Sequence, residues 1–196
     1  MLYQIHRYPA ELIDVIRLDG GQRVVIRPVL PQDEALTTAF FVKLTAPARY
    51  DRFMSPMRNL PPELVKRFTN VDYANHLALV AVVVEDGDEV VVAEARYARI
   101  ADASEAEFAI SVAEAWQGKG LAQVLLGKLA CRASTAGVRK IVGETLATNE
   151  KMLHLARKAG FTVRRSADVR GVMLLERVVD AAPPGTPCHA AAELAA

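Results

Sequence analysis

Glu107-Phe108-Ala109-Ile110-Ser111-Val112, followed after three residues by Trp116-Gln117-Gly118-Lys119-Gly120-Leu121-Ala122, is the stretch that decides the fold. An alternating run reads as a strand, the Gly-rich segment as a tight turn, and the residues from Gly120 to about Ala136 as a long helix with Leu121, Leu125 and Leu129 on one stripe. The first amides of a helix lack internal partners and sit at the positive end of its dipole. Gly118 and Gly120 let an anion approach that backbone closely, and Lys119 adds a charge. The segment therefore reads as a cradle for a pyrophosphate. It matches neither GxxxxGK[ST] nor GxGxxG. The plain alternative is an ordinary glycine-containing strand–helix turn.

Outward from this stretch, the chain alternates strand and helix signals. Leu12 to Leu18, the turn Asp19-Gly20-Gly21 and Arg23 to Pro28 read as a hairpin. Helices are expected from about Pro31 to Leu44 and from Pro61 to about Phe68. Leu77 to Glu85 and Glu89 to Ile100, Val-rich and joined by Asp86-Gly87-Asp88, form the clearest hairpin. After the central strand (Glu105 to Val112) and its helix come a strand at Lys140 to Thr145, a helix from Asn149 to Ala159, and strands at Phe161 to Arg165 and Val172 to Val178. The order β-β-α-α-β-β-β-α-β-α-β-β predicts a mixed α/β (α+β) domain. Residues 1–22 supply an N-terminal segment with the first strand, 23–179 the body, and 180–196 an Ala/Pro-rich tail expected outside the fold, with a short helix conceivable at 190–196.

Composition narrows the function. The chain has 196 residues, 52% hydrophobic and 24% charged, with 24 basic and 23 acidic residues for a net charge of +1. Such a balance supplies no global field for nucleic acid or for an anionic membrane. The longest uninterrupted apolar run, Leu77 to Val84, is too short to span a bilayer, and the charged first twenty residues do not resemble a signal peptide. A cytoplasmic location is expected. His6, His76, His154 and His189 have no ligand spacing, so no metal is expected. Cys131 and Cys188 read as lone thiols.

Gln117-x-x-Gly120-x-Ala122 resembles the acetyl-CoA signature of the GCN5-related N-acetyltransferase (GNAT) superfamily, and Asn149 with Ala159-Gly160-Phe161 resembles its Asn…Gly-Phe segment. Tyr8-Pro9-Ala10-Glu11-Leu12, Ile26-Arg27-Pro28, Arg49-Tyr50-x-Arg52-Phe53-Met54-Ser55-Pro56, Asn70-Val71-Asp72-Tyr73 and Asn149-x-x-Met152-Leu153 are similar to the acetyltransferase domain of bacterial Pat-type protein-lysine acetyltransferases. The resemblance covers about Tyr8 to Val178. It implies a central sheet splayed at the strand of Ile110, with acetyl-CoA in the gap, and acetyl transfer to a primary amine. That amine is a protein lysine first and a small molecule as the alternative. A CoA-binding module without turnover is a third reading. Monomer and homodimer both stay open.

The implied cofactor contacts are Ile110, Ser111, Val112, Gln117, Gly118, Lys119, Gly120, Leu121, Ala122, Asn149 and Met152. Backbone amides near Ser111 and Val112 would polarise the thioester carbonyl. As a pure helix N-cap, Asn149 would look identical in sequence. Many family members carry a Tyr as general acid where this chain has Ala156. A lysine ammonium must lose a proton before it can attack, and Glu107 is the expected base, with Glu105 the lesser candidate. Burial beside Phe108 and Ile110 would make Glu107 more basic; a solvated strand residue is the plain reading. Trp116 is expected to pack before the turn, with a cover for the adenine side as the alternative. Met54 and Met57 are expected in the core and His154 on a helix surface. Arg49, Arg52 and Arg58 gather near the predicted acceptor entrance, where a solvated helix face is the preferred reading and a substrate role the other.

Overall fold

Val-rich strands pair where branched side chains pack on a pleated surface, and here they build the centre of the molecule. In this computed structural model, residues 7–18, 21–100, 104–180, 182–183 and 186–188 are described. The tip of the first hairpin (Asp19 and Gly20), His6, His189 and the 190–196 segment lie outside them. The described residues form one eight-stranded sheet in the order β1-β2-β3-β4-β5-β6-β8-β7. Its strands are β1 (Asp14–Arg17), β2 (Arg23–Pro28), β3 (His76–Glu85), β4 (Asp88–Arg99), β5 (Glu105–Val112), β6 (Lys140–Leu146), β7 (Thr162–Arg165) and β8 (Val172–Val178). Every neighbouring pair is antiparallel except β5 and β6.

Among the described residues five α-helices cover this sheet: α1 (Glu34–Lys43), α2 (Ala46–Phe53), α3 (Pro62–Thr69), α4 (Leu121–Thr135) and α5 (Glu150–Lys158). Helices α1, α2 and α3 lie over one face, with Phe41, Leu60 and Val65 buried between them. Helices α4 and α5 lie over the other, where Leu121, Leu125 and Leu129 are almost fully buried, as their spacing predicts. The mixed α/β class and the flanking helices agree with the sequence reading.

Helix α2 does not appear in the sequence reading. Its residues are at most half-buried, Arg52 and Phe53 among them, and Tyr50 and Phe53 are its only large apolar side chains, too few to mark a helix in sequence. Thr45 caps it by accepting from the Ala48 amide, and Pro47 sits in its first turn. Met54 ends it in the left-handed region at φ 48° and is exposed, which corrects its core assignment. Met57 packs beside the small cluster between α1 and α3.

The cysteines need a second correction. Cys131 on α4 and Cys188 in the tail form a disulfide, not two lone thiols. The Lys128 ammonium, buried beneath them, pairs with Asp14 at 2.8 Å and donates to the Cys188 carbonyl at 3.1 Å. The described part of the tail is therefore tied to the body, whereas its composition suggested a segment outside the fold.

Candidate active site

Strand β5 pairs with β4 along its whole length, from Arg99↔Ala106 to Ala93↔Val112. Its pairing with β6 stops at Glu107↔Val142. Beyond that point β6 continues to Leu146 against β8, and the two parallel strands diverge. The sheet is thus splayed next to Ile110, as expected. Phe108 accounts for the vertex. A Cβ on Gly143, the residue that would pair next, would lie 2.6 Å from the Phe108 ring, so the ring occupies the space of a side chain there. Phe161 backs that ring at 4.8 Å between centroids.

Strand alternation assigns the polar groups of the gap. The Ala113 amide donates to Val92 of β4, and Glu105 accepts from Ile100 at the other end of the same pair. Counting back in twos, Ser111 turns its amide toward β4, while Ile110 and Val112 turn theirs into the gap. Ser111 thus does not offer the amide expected of it. The Val112 carbonyl, also turned into the gap, accepts from Gln117 Nε2 at 3.0 Å, so Gln117 braces the turn that leads to α4.

That turn has the predicted form. Gly118 (φ 75°) and Gly120 (φ 79°) are both left-handed, a conformation that favours glycine. Among the described residues no side chain caps α4, and none lies within 4 Å of where a Cβ on Gly118 would sit. The first α4 amides, Leu121 and Ala122, face an open approach. Leu121 contributes only its backbone, because its side chain is core. Lys119 donates to Gln22 at 2.9 Å and lies 4.9 Å from the Trp116 ring centroid. Trp116 is half-buried against the core, in keeping with a packing role.

One cleft of about 1100 Å³ runs from this cradle along the gap to Glu107 and on beneath α2. Every predicted site residue except Lys119 lines it. Asn149 caps α5 by accepting from the Met152 amide at 3.0 Å, a role that uses only Oδ1. Ala156 is fully buried and outside the lining, so α5 offers no hydroxyl there. His154 is exposed on the α5 wall of the cleft.

Glu107 departs from expectation. It is exposed, not buried, at the vertex of the gap. Phe108, adjacent in sequence, projects to the opposite face of the sheet, as strand alternation requires. Glu105 is engaged with Lys140 at 2.7 Å and does not line the cleft. On the α1–α3 face, Glu107 shares its row with Ala109 and Ser111, opposite Arg96 and Glu94 in β4 register.

The floor beneath this row carries charge that the sequence reading did not assign to the site. Glu94 is buried and paired with Arg96 at 2.5 Å. Burial pushes the Glu94 carboxyl up, but Arg96 outweighs this and the net direction is down. The Arg96 guanidinium lies 3.8 Å from the Phe68 centroid and 3.3 Å from His76 Nε2. Arg52 of α2 lies over Phe53 at 4.8 Å. Burial, with Arg96 adding to it, lowers Arg52 to about 10 against the pull of Glu94 and Glu107. Among the described residues no hydrogen bond or ion pair holds the Arg52 guanidinium. The solvated-face reading of the arginine cluster therefore fails for Arg52 and for Arg49, which is half-buried and donates to the Leu44 carbonyl at 2.6 Å, while Arg58 is exposed but lies outside the helices. The alternation of β4, with Glu94 and Arg96 two apart, was the available signal.

This architecture has known counterparts. The family model for the acetyltransferase (GNAT) domain matches residues 23–162. The chain belongs to the GNAT acetyltransferase family. An acetyltransferase of Pseudomonas aeruginosa is 32% identical over 151 residues, covering 77% of this chain and 81% of the relative. The acetyltransferase Pat of Mycolicibacterium smegmatis is 31% identical over 172 residues, 87% of this chain, and this chain spans 50% of that protein's length. The crystal structure of the GNAT domain of S. lividans PAT superposes with a TM-score of 0.81 at 32% identity, covering 88% of this chain and all of that one. This GNAT domain is therefore an acyltransferase by family, and the splayed β5–β6 gap and uncapped α4 are its own realisation of the fold.

Proposed function

We propose that the chain transfers the acetyl group of acetyl-CoA to the ε-amino group of a protein lysine, with Glu107 as the proton acceptor. The observation that carries this reading is the line of groups along one cleft. An uncapped helix start and two glycines lie at one end, the Ile110 and Val112 amides along the gap, and an exposed carboxylate at the vertex. The first group suits the CoA pyrophosphate. The amides suit the pantetheine arm and the thioester oxygen. The carboxylate stands where an amine would meet the acyl carbon.

The chemistry follows from these positions. At pH 7 roughly one lysine in a few thousand is a neutral amine. Glu107 accepts a proton as the amine nitrogen attacks the carbonyl carbon. Negative charge builds on the thioester oxygen, facing the strand amides. The C–S bond then breaks, and the sulfur leaves as a thiolate that picks up a proton from solvent. A thiol of pKa about 8.5 departs readily at neutral pH, so a helix-borne acid at position 156 is dispensable.

The lysine acceptor rests on the likeness to Pat acetyltransferases and on the small side chains of Ala109 and Ser111 flanking the approach to Glu107. One observation favours a small amine that carries an anionic group: the Arg52 guanidinium, unpaired among the described residues, lines the same cleft. Labelled acetyl-CoA offered to a panel of lysine-bearing proteins and of small amines separates the two. Label on protein lysines supports the proposal. Label confined to a small amino acid overturns the acceptor class, and CoA binding with no transfer to any acceptor overturns the enzymatic reading.

A further inference from the structure

Lys151 sits where helix electrostatics disfavour a cation. It is the second residue of α5, which starts at Glu150 behind its Asn149 cap. Helix starts carry partial positive charge, so lysine costs stability there and favours the other end. The side chain does not turn away into solvent. Its ammonium crosses the cofactor gap and donates to Gln117 Oε1 at 2.9 Å, and the same Gln117 amide group donates to the Val112 carbonyl. Gln117 therefore holds the ammonium beside the turn that opens α4. Two helix starts and a lysine converge on one corner of the cleft, and among the described residues no side chain caps α4. The carboxylates nearest in sequence do not neutralise the corner directly. Glu114 accepts from Thr45 at 2.9 Å, and Glu150 is exposed with no ion pair among the described residues.

Such an arrangement stabilises a polyanion and little else. We infer that Lys151 is a cofactor-selecting residue that binds the CoA pyrophosphate from the α5 side, opposite the α4 backbone amides. It closes the anion site across the gap, while Lys119, held away at Gln22 and Trp116, serves the outer side of the turn. The inference rests on the acetyl-CoA reading above. It adds a residue outside the Gln-x-x-Gly signature, one whose role is to tell a phosphorylated acyl carrier from a bare pantetheine.

The test compares wild type, Lys151→Met and Lys151→Arg with three donors: acetyl-CoA, acetyl-dephospho-CoA, which lacks only the ribose phosphate, and S-acetylpantetheine, which has no phosphate. Lys151 is exposed, so both variants are expected to fold, and circular dichroism checks this. Loss of a charge-assisted hydrogen bond predicts that Lys151→Met lowers kcat/KM about tenfold for both phosphorylated donors, through KM and not kcat. S-acetylpantetheine should be unaffected, and Lys151→Arg should recover most of the loss. The same order should appear in CoA affinity by calorimetry, which decides the matter even without turnover. Equal effects on all three donors, a loss confined to the donor with the ribose phosphate, or no loss at all would each overturn the role. Wild type that binds CoA but transfers nothing would instead count against the proposed reaction, leaving the calorimetric comparison to judge Lys151. Wild type that fails to bind CoA would overturn both.

Discussion

The ring of Phe108 fills the place a side chain on Gly143 would take: a Cβ there would lie 2.6 Å from Phe108 Cε1. These two residues follow directly on the last β5–β6 pair, Glu107↔Val142. The contact thus marks where the sheet stops pairing and the cleft begins. Both are buried, and Phe161 limits the ring's retreat.

Gly143→Ala should therefore destabilise the fold by overpacking, by about 1–3 kcal/mol. Urea denaturation measures it. The double variant Gly143→Ala with Phe108→Leu should recover part of the loss, because the smaller side chain frees the space. An additive double variant would show that the two positions do not share that space.

The disulfide gives a second expectation. It closes a loop spanning 57 residues, which in the chain-entropy picture is worth about 4 kcal/mol at most. Cys188→Ser, or reduction of the wild type, should lower the melting temperature while leaving KM for acetyl-CoA within about twofold of its starting value, because Cys131 lies near the end of α4 away from the cradle. A melting temperature indifferent to reductant would contradict the link.

Much of this organisation was legible in the sequence. The Val-rich hairpin of β3 and β4, the leucine stripe of α4 and the glycine turn before it are local patterns, and each has its expected partners. What escaped was non-local. Helix α2 is only eight residues long, with Tyr50 and Phe53 its only large apolar side chains, too short a pattern to mark it in sequence, although Thr45 and Pro47 were readable as a start. The pairing of Cys131 with Cys188 depends on how the tail crosses α4. The burial expected of Glu107 was inferred from neighbours in sequence, yet neighbours on a strand face opposite ways. Phe108 is buried for the same geometric reason that leaves Glu107 exposed.

Acid should act through His76. Burial first, and then the Arg96 charge, lower it to about 4, against the opposing pull of Asp72 and Glu94; Arg67 adds to the lowering. The unfolded chain, with histidine near 6.5, binds this proton more readily than the native state between those values. Stability should therefore be complete above about pH 6.5 and decline as pH falls toward 4, by up to about 2 kcal/mol for a half-buried ring. Glu94, held low by Arg96, adds its own loss only below the ordinary carboxylate range. His76→Gln should flatten the upper window in denaturation measured from pH 7 to 4.5. An unchanged slope would show that His76 does not set it.

The central claim is that Glu107, at the vertex of the gap, accepts the proton of the attacking amine. The most direct measurement is the pre-steady-state rate of acetyl transfer by wild type and Glu107→Gln across pH, with CoA affinity determined in parallel. The carboxylate is exposed and makes no ion pair among the described residues, so the substitution should leave folding and CoA binding unchanged. The account predicts a loss of about a hundredfold or more at pH 7, shrinking as pH rises and the amine deprotonates by itself. A variant that transfers acetyl at the wild-type rate at pH 7 would contradict it.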